Sequence, residues 1–434
     1  MTKPIYDAVS EYAKKSPSRF HMPSHFGEDL DGGLYASAAF DITELPFSDN
    51  LQNPDGIIAE SERQCARSYG AKRSLYFTTG ASAAVFTAVA AVKTLTDEII
   101  LPRASHKSLY AAARLFGLKP RYIPPRFYKG IPLPVTAEEV EAAIREYPLA
   151  GAVAVTSPNY FGMTADADKI CDVIKKHKKL LIADEAHGAH FPFSTLFPKG
   201  FSGVADLCAV SLHKTLPVYT GGAVLNVNNE SLFDITTALR ADLHTTSPSY
   251  VVLASMDYAL DDLREKGGIL YDGLYARVEK LKKDIPDLTF LNNDDFTRLA
   301  VLTGRKNAEA LYNKDIIPEA VFGDWCVFIL SPRNADKLDA LESGLRMLRF
   351  DGRIIDTPDY PAPVEGVSGT DCGFVSLDKA VGRTSHREVG VYPPGIPLVA
   401  AGEIITAEAA KILAGENTFG FVNNKICVTI DNSK

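Results

Sequence analysis

The chain has 434 residues, of which 46% are hydrophobic and 23% charged, and its formal net charge is −8. This length exceeds one ordinary hydrophobic core, and the composition is that of a globular protein, so two or three domains are expected. The acidic balance disfavours a nucleic-acid partner. The longest apolar run, 81–92, is too short to span a bilayer, and the polar segment 1–20 has no signal-peptide core.

Cysteine and histidine usage favours neither a disulfide framework nor a metal site. The six cysteines are scattered without a C-x-x-C pair, and the nine histidines contain no H-E-x-x-H motif. Such usage is typical of a reducing compartment. We therefore expect a soluble cytoplasmic protein with no metal, no membrane and no nucleic acid among its partners.

Residues 74–227 alternate between strand-like and helix-like segments. Short apolar runs predict strands, and amphipathic or Ala-rich stretches between them predict helices. This alternation predicts an α/β fold with a mostly parallel central sheet and helices on both faces, in which ligands bind beyond the carboxyl ends of the strands. The predicted strands are 74–78, 99–101, 121–123, 152–156, 180–183 and 207–210, and the predicted helices are 82–95, 107–116, 137–146 and 166–178.

The flanking regions have a different character. Residues 1–60 are rich in Pro, Gly, His and aromatic residues and predict an extended N-terminal arm, followed by a large domain over 61–270. A long helix near 249–265 leads into residues 271–350, where strands and helices alternate on a smaller scale and predict a small α+β domain. Pro- and Gly-rich loops in 351–434 indicate a separate C-terminal domain.

Asp184 and Lys214 are the residues that indicate which kind of catalytic chemistry the protein supports. Asp184 ends the apolar run 180–183, where a buried carboxylate needs a compensating cation, and Lys214 follows about thirty residues later. A lysine amine can hold the aldehyde of pyridoxal 5′-phosphate as a Schiff base, and an aspartate can keep the pyridine nitrogen protonated. The alternative for Asp184 is a helix-capping or salt-bridge role.

Other residues near predicted strand ends could hold the cofactor phosphate. Gly80, Ala81 and Ser82 lie between a strand and a helix, where backbone amides at a helix N-terminus form a phosphate cradle. Such turns are common, so this pattern is weak by itself. Ser211 and His213, beside the lysine, could contact the same phosphate.

Two histidines could contact the cofactor ring. His187 could hydrogen-bond the cofactor phenolate or position Asp184, and a structural role is the alternative. His106 opens a predicted helix and could stack flat on the pyridine ring, and the alternative is a simple helix-start role.

A series of short segments in a fixed order carries a resemblance to a known family. The series runs through nearly the whole chain: Phe20–His25, Asp41–Pro46, Asn53–Gly56, Tyr69–Ala71, His106–Ser108, Thr156–Tyr160, Asp184–His187, His213–Pro217, His244–Tyr250 and Tyr392–Pro397. Together these segments resemble the bacterial Orn/Lys/Arg decarboxylase family, pyridoxal-phosphate enzymes of fold type I that act on basic amino acids.

The resemblance implies a pyridoxal-phosphate-dependent transferase fold of type I and a role for each matching residue. Lys214 is similar to the Schiff-base lysine, Asp184 to the pyridinium partner and His106 to the stacking histidine. The residues that match the phosphate side are Ser82, Ser211 and His213.

The resemblance also implies a homodimer or a higher homo-oligomer with a shared site. Thr246 and Ser247 are similar to a segment that the family offers to the phosphate of the neighbouring subunit. Asp49 and Glu403 lie in matching segments near the substrate entrance, and one of them is expected to pair with the distal cation of the substrate. An exposed surface carboxylate is the alternative for each.

The implied reaction is decarboxylation of arginine, lysine or ornithine to a polyamine or its precursor, with arginine slightly favoured. Three departures from the family pattern bear on the substrate more than on cofactor binding. Ser24 replaces a usual glycine, Ala81 lacks a common hydroxyl, and Gly221 stands where relatives often carry glutamine.

Two other functions remain open. The first is another fold-type-I enzyme, such as an aminotransferase, aldolase or lyase, in which Arg298 or Arg383 could bind the substrate α-carboxylate. The second is a non-catalytic subunit of the same fold, against which the intact set of Asp184, His213 and Lys214 argues.

Overall fold

A computed structural model describes residues 2–348, 366, 371–392, 395–415 and 417–430. Predictions that concern the rest, including part of the expected C-terminal domain and Pro393 and Pro394 of the Tyr392–Pro397 motif, lie outside the described residues. The helices are α1 (Pro4–Lys14), α2 (Ile57–Tyr69), α3 (Ala81–Lys93), α4 (Lys107–Phe116), α5 (Ala137–Glu146), α6 (Ala167–Lys176), α7 (Phe233–Leu243), α8 (Tyr250–Asp284), α9 (Arg305–Tyr312), α10 (Leu338–Leu345), α11 (Leu377–Ala380) and α12 (Ala407–Leu413).

The strands form one large sheet, a four-stranded sheet and smaller sheets. They are β1 (Arg73–Phe77), β2 (Glu98–Pro102), β3 (Lys119–Ile123), β4 (Phe127–Tyr128), β5 (Ile131–Pro132), β6 (Ala152–Thr156), β7 (Leu180–Asp184), β8 (Leu207–Ser211), β9 (Ala223–Val227), β10 (Thr289–Phe290), β11 (Arg298–Leu302), β12 (Ala320–Phe322), β13 (Trp325–Ile329), β14 (Cys372–Ser376), β15 (Val389–Val391), β16 (Ile396–Val399), β17 (Thr418–Phe419), β18 (Phe421–Val422) and β19 (Lys425–Thr429).

The large sheet has seven strands in the order β1-β9-β8-β7-β6-β2-β3. All neighbours from β8 to β3 pair in parallel, whereas β9 runs antiparallel to both β8 and β1. The six predicted strands are therefore present, and the prediction of a mostly parallel sheet is confirmed. Strand β9 and the hairpin β4–β5 were not predicted.

Helices cover both faces of this sheet because successive side chains of each strand point to opposite faces. On β2, Ile99 and Leu101 pack in the core under α3 and α4, while Ile100 packs in the core on the other face. The second core also includes side chains of α1, α2, α5, α6 and α8. Two apolar cores thus enclose the strands and hold their carboxyl ends in fixed positions.

The N-terminal segment is not wholly extended, which corrects the expectation of an extended arm. Residues Pro4–Lys14 form α1, which packs against the 35-residue helix α8. Asp257 of α8 accepts the backbone N–H groups of Ile5 at 3.0 Å and Tyr6 at 3.1 Å. These bonds satisfy two amides of the first turn of α1, which have no partner within the helix.

The four-stranded sheet has the order β10-β11-β13-β12 with antiparallel neighbours. It supports the expected small α+β unit, although α8 runs continuously past residue 270. The domain limits therefore remain predictions. Within the described ranges, no helix combines the length and apolarity that crossing a membrane requires.

Candidate active site

A cleft of about 320 Å³ opens at the carboxyl ends of the parallel strands. Thr156, Asp184 and Ser211, the last residues of β6, β7 and β8, all line it. This is where an α/β sheet is expected to bind ligands. The structure brings together in this cleft nine of the residues proposed from the sequence: Gly80, Ala81, Ser82, His106, Asp184, His187, Ser211, His213 and Lys214.

Lys214 ends a short 3₁₀ turn that follows β8. Its Nζ lies 3.2 Å from Nε2 of His187. Burial lowers the pKa of Lys214, the charge of Asp184 opposes this shift, and the charge of Arg298 adds to it. A lysine with a lowered pKa carries a larger fraction of the nucleophilic neutral amine at neutral pH.

Asp184 is a buried carboxylate with only 4% of its surface exposed. Its Oδ1 accepts the N–H of Ala186 at 3.2 Å, and burial raises its pKa while the charge of Lys214 opposes that shift. No cationic side chain of the described residues forms an ion pair with it within 4.0 Å. Because a buried charge is costly without a partner, a cationic group in the cleft would stabilise this residue.

His187 lies between the cleft and the four-stranded sheet. Its Nδ1 lies 3.3 Å from Nη2 of Arg298, the first residue of β11. Its ring packs edge to face against the ring of Tyr160, with 5.5 Å between the ring centroids. Burial lowers the pKa of His187 far below its ordinary value. Sequence reasoning weighed Arg298 only as an α-carboxylate ligand in a different reaction and missed this contact.

The start of α3 forms the end of the cleft that is predicted to bind a phosphate. Gly80 caps this helix at φ +89°, and its N–H donates to the carbonyl of Gly221 at 2.8 Å. The first amides of a helix have no partner within it, so those of Ala81 and Ser82, which line the cleft, suit an anion.

The glycine at position 221 has a geometric cause. It adopts φ +107°, and a Cβ there would lie 2.5 Å from the carbonyl oxygen of Thr78. Its N–H lies 3.3 Å from Nδ1 of His213 and can donate to it. The glutamine that relatives often carry at this position would not fit this backbone.

His106 caps the N-terminus of α4, where its Nδ1 accepts the N–H of Ser108 at 3.2 Å. Burial, together with the charges of Lys214 and Lys107, lowers the pKa of His106 to about 3. A Cβ on Gly395 would lie 3.1 Å from this ring. A neutral ring held in the cleft is compatible with the predicted stacking role.

The two carboxylates predicted to bind substrate have other partners within the single chain, and their substrate role stays a prediction. Asp49 accepts backbone N–H groups at the start of α2, including those of Gly56 and Ile58, both at 2.9 Å. Glu403 is buried and pairs with Arg103 at 2.8 Å. Neither residue is among those that line the cleft. Both carboxylates are therefore held by the fold of this chain itself.

Thr246 and Ser247 are exposed just before α8 and do not line the cleft of their own chain. Their expected role toward a neighbouring subunit remains a prediction.

Comparison with known structures places the protein in a class. Lysine decarboxylase A from Pseudomonas aeruginosa matches with a TM-score of 0.80 at 16% identity, over 98% of this chain and 80% of that one. Serine palmitoyltransferase from Sphingomonas wittichii matches with a TM-score of 0.57 at 18% identity, over 78% and 82%. The fold is that of the pyridoxal-phosphate-dependent enzymes of fold type I.

The family follows from the sequence comparisons. Residues 3–309 match the model of the Orn/Lys/Arg decarboxylase major domain, and residues 364–415 match that of its C-terminal domain. The chain belongs to the Orn/Lys/Arg decarboxylase family. A protein named arginine decarboxylase from Bacillus anthracis is 28% identical over 449 residues, covering 93% of this chain and 91% of the relative. The protein is thus an amino-acid decarboxylase.

The family implies pyridoxal 5′-phosphate as cofactor, and the cleft fits it. Lys214 offers an amine, and Asp184 lacks a cationic partner among the described residues. The buried Oγ1 of Thr156 has no hydrogen-bond partner in the described part of the chain, and it lines the same cleft. The start of α3 supplies amides for the phosphate.

Proposed function

We propose that this protein decarboxylates arginine to agmatine, with lysine and ornithine as the other candidate substrates. The observation that carries the proposal is the cleft that contains Lys214 and Asp184, in a chain for which several relatives over more than nine tenths of its length are named arginine decarboxylase. Agmatine is a precursor of polyamines, so the reaction would provide the starting compound for polyamine synthesis.

Three parts of the cleft would hold the cofactor. The Lys214 amine would bind its aldehyde, the Asp184 carboxylate would keep its ring nitrogen protonated, and the amides of Ala81 and Ser82 would bind its phosphate. When bound, the cofactor supplies an electron-accepting ring that stabilises the charge left on the substrate carbon as CO₂ departs.

The walls of the cleft favour that departure. The apolar side chains of Leu133, Val135, Phe161 and Ile396 line it. A carboxylate that leaves as neutral CO₂ loses its charge, and surroundings of low polarity favour the neutral product. The Lys214 amine, which lines the same cleft, would carry the proton that the substrate carbon takes up.

The active unit that we propose is a homodimer in the cytoplasm. The cleft of one chain lacks the segment that contains Thr246 and Ser247, which is exposed in its own subunit and thus free to reach a neighbour. Sedimentation of the purified protein should give a dimer or a larger assembly. The variant Ser247→Asp, which adds a negative charge opposite the phosphate, should weaken cofactor retention.

Incubation of the purified protein with arginine, lysine and ornithine, with measurement of CO₂ and amine, tests the function. We expect equal amounts of CO₂ and amine, with the highest kcat/KM for arginine. Lys214→Ala should lose both the absorption band of the lysine-bound cofactor and CO₂ release. Keto-acid formation without CO₂ would contradict the proposal and favour an aminotransferase.

A further inference from the structure

His187 lies between two nitrogen groups of different character. Its Nε2 is 3.2 Å from Nζ of Lys214, and its Nδ1 is 3.3 Å from Nη2 of Arg298. Arg298 is 2% exposed, and its Nε and Nη1 have no hydrogen-bond partner among the described residues. Among the described residues, His187 is therefore the only hydrogen-bond partner of the Arg298 guanidinium.

The chemistry of arginine determines where the His187 proton lies. A guanidinium has donors only, so Nδ1 of His187 must accept from Arg298. Burial, reinforced by the charges of Lys214 and Arg298, lowers the pKa of His187 far below its ordinary value, so the ring is neutral. A neutral imidazole carries a single N–H, which is therefore on Nε2 and faces Lys214.

A lysine can accept that N–H only as a neutral amine, because an ammonium group has no lone pair. We propose that Arg298 is a positioning residue that fixes the His187 proton on Nε2 and thereby holds the Lys214 amine in its unprotonated, nucleophilic form. This inference rests on the proposed function only in requiring Lys214 to react with an aldehyde. It assigns a role to Arg298 that does not involve a substrate carboxylate.

The other groups around Lys214 show why its neutral form needs the hydrogen bond from His187. The charges of Asp184 and, more weakly, Glu319 favour the ammonium form, whereas burial and Arg298 oppose it. His106 has its pKa lowered to about 3 and is neutral, and burial keeps the Tyr160 hydroxyl protonated by raising its pKa. The oriented N–H of His187 therefore adds to burial and Arg298 in opposing Asp184.

The protonation of Lys214 can be measured without turnover. The full-length protein, freed of cofactor, is treated with acetaldehyde and cyanoborohydride at a series of pH values, and alkylation of Lys214 is quantified by mass spectrometry. Exposed Lys314 serves as the internal reference. We expect Arg298→Met to shift the Lys214 profile to higher pH and to slow its alkylation at neutral pH about tenfold, as a one-unit rise in pKa requires. Arg298→Lys, which keeps a donor, should restore part of the rate.

A double-mutant cycle separates this role from simple charge repulsion. In a His187→Phe background, Arg298→Met should cause a smaller shift than in the parent, because only the direct charge of Arg298 on Lys214 is then lost and the contribution through His187 is already gone. An equal shift in both backgrounds would overturn the proposal, since it would show a direct Coulombic or a general structural effect.

Nuclear magnetic resonance of the parent protein gives an independent test that needs no folded Arg298 variant. Two-bond ¹H–¹⁵N correlations in histidine-labelled, cofactor-free protein distinguish the two tautomers, and loss of signals in His187→Phe assigns them. We expect the proton on Nε2, and a proton on Nδ1 would overturn the proposal. Failure of the protein to release CO₂ from any basic amino acid would refute the proposed function while leaving both measurements valid.

Discussion

Nη2 of Arg103 lies 2.8 Å from Oε2 of Glu403, and both side chains are almost completely buried. Arg103 directly follows β2 of the large sheet, and Glu403 follows β16, so this ion pair joins the large domain to the C-terminal region. The same carboxylate oxygen accepts the N–H of Ala400 at 2.7 Å. The pair is a structural link between parts of the chain that are 300 residues apart.

Glu403→Gln should destabilise the protein, because it leaves the Arg103 guanidinium buried without its counter-charge. Breaking a buried pair in this way costs about 3–5 kcal/mol, which urea unfolding can measure. The matched control Glu408→Gln, on the exposed side of α12, should change stability by less than about 0.5 kcal/mol. A Glu403→Gln variant with parent stability and a raised KM for arginine alone would instead support a substrate role for this carboxylate.

Asp184→Asn should retain the cofactor on Lys214 but release CO₂ far more slowly. Asparagine has the same shape without the negative charge that holds the ring nitrogen protonated, and loss of one such stabilising group costs about 10²–10³ in kcat. Absorbance reports cofactor attachment, and evolved CO₂ reports turnover. Asp166→Asn, at the exposed N-cap of α6 where asparagine caps equally well, is the control and should retain full activity. Unchanged turnover in Asp184→Asn would rule out the assigned role.

Gly221→Ala should destabilise the protein and weaken cofactor binding. The new Cβ would lie 2.5 Å from the carbonyl of Thr78 on a backbone at φ +107°, and residues forced into such a conformation cost about 1–3 kcal/mol. Gly273→Ala is a control that should have the opposite effect, because this exposed glycine within α8 has open space around it. Alanine there should raise the free energy of unfolding by about 0.5–1 kcal/mol. Equal stability of the two variants would contradict the backbone argument.

Asp257, which accepts the first backbone amides of α1, should make the free energy of unfolding depend on pH. Burial raises the pKa of Asp257 to about 6, although its hydrogen bonds from Ser61, Tyr6 and Ile5 oppose this shift. The folded protein therefore binds this proton more tightly than the unfolded chain does, whose aspartate pKa is about 3.9. The contribution of Asp257 to stability is complete below about pH 4 and is lost as the pH rises through about 6.

Comparison with Asp257→Asn isolates this titration, because asparagine does not ionise. Between pH 4 and pH 7 the unfolding free energy of the parent should fall relative to that of the variant by about 2–3 kcal/mol. Urea unfolding at unit pH intervals gives both curves. Parallel curves across this range would show that Asp257 does not change its protonation there.

Local patterns in the sequence account for much of the fold. The helices 107–116 and 137–146 and the strand 152–156 were predicted with their observed limits, because each has a clear hydrophobic pattern. In the structure, a capping box between Thr136 and Glu139 sets the start of α5. Strand β9 was missed because five residues between a glycine turn and a polar loop carry little periodic information.

The amino-acid sequence alone predicted six of the seven strands of the large sheet, the strand-end position of Asp184 and the lysine that follows β8, since hydrophobic periodicity and turn residues act over short distances along the chain. Which groups surround these residues became known from the three-dimensional structure. The contact of Arg298 with His187 and the pairing of Glu403 with Arg103 join residues 111 and 300 positions apart. Such contacts depend on how the sheets and domains pack, and no local pattern of residues specifies them.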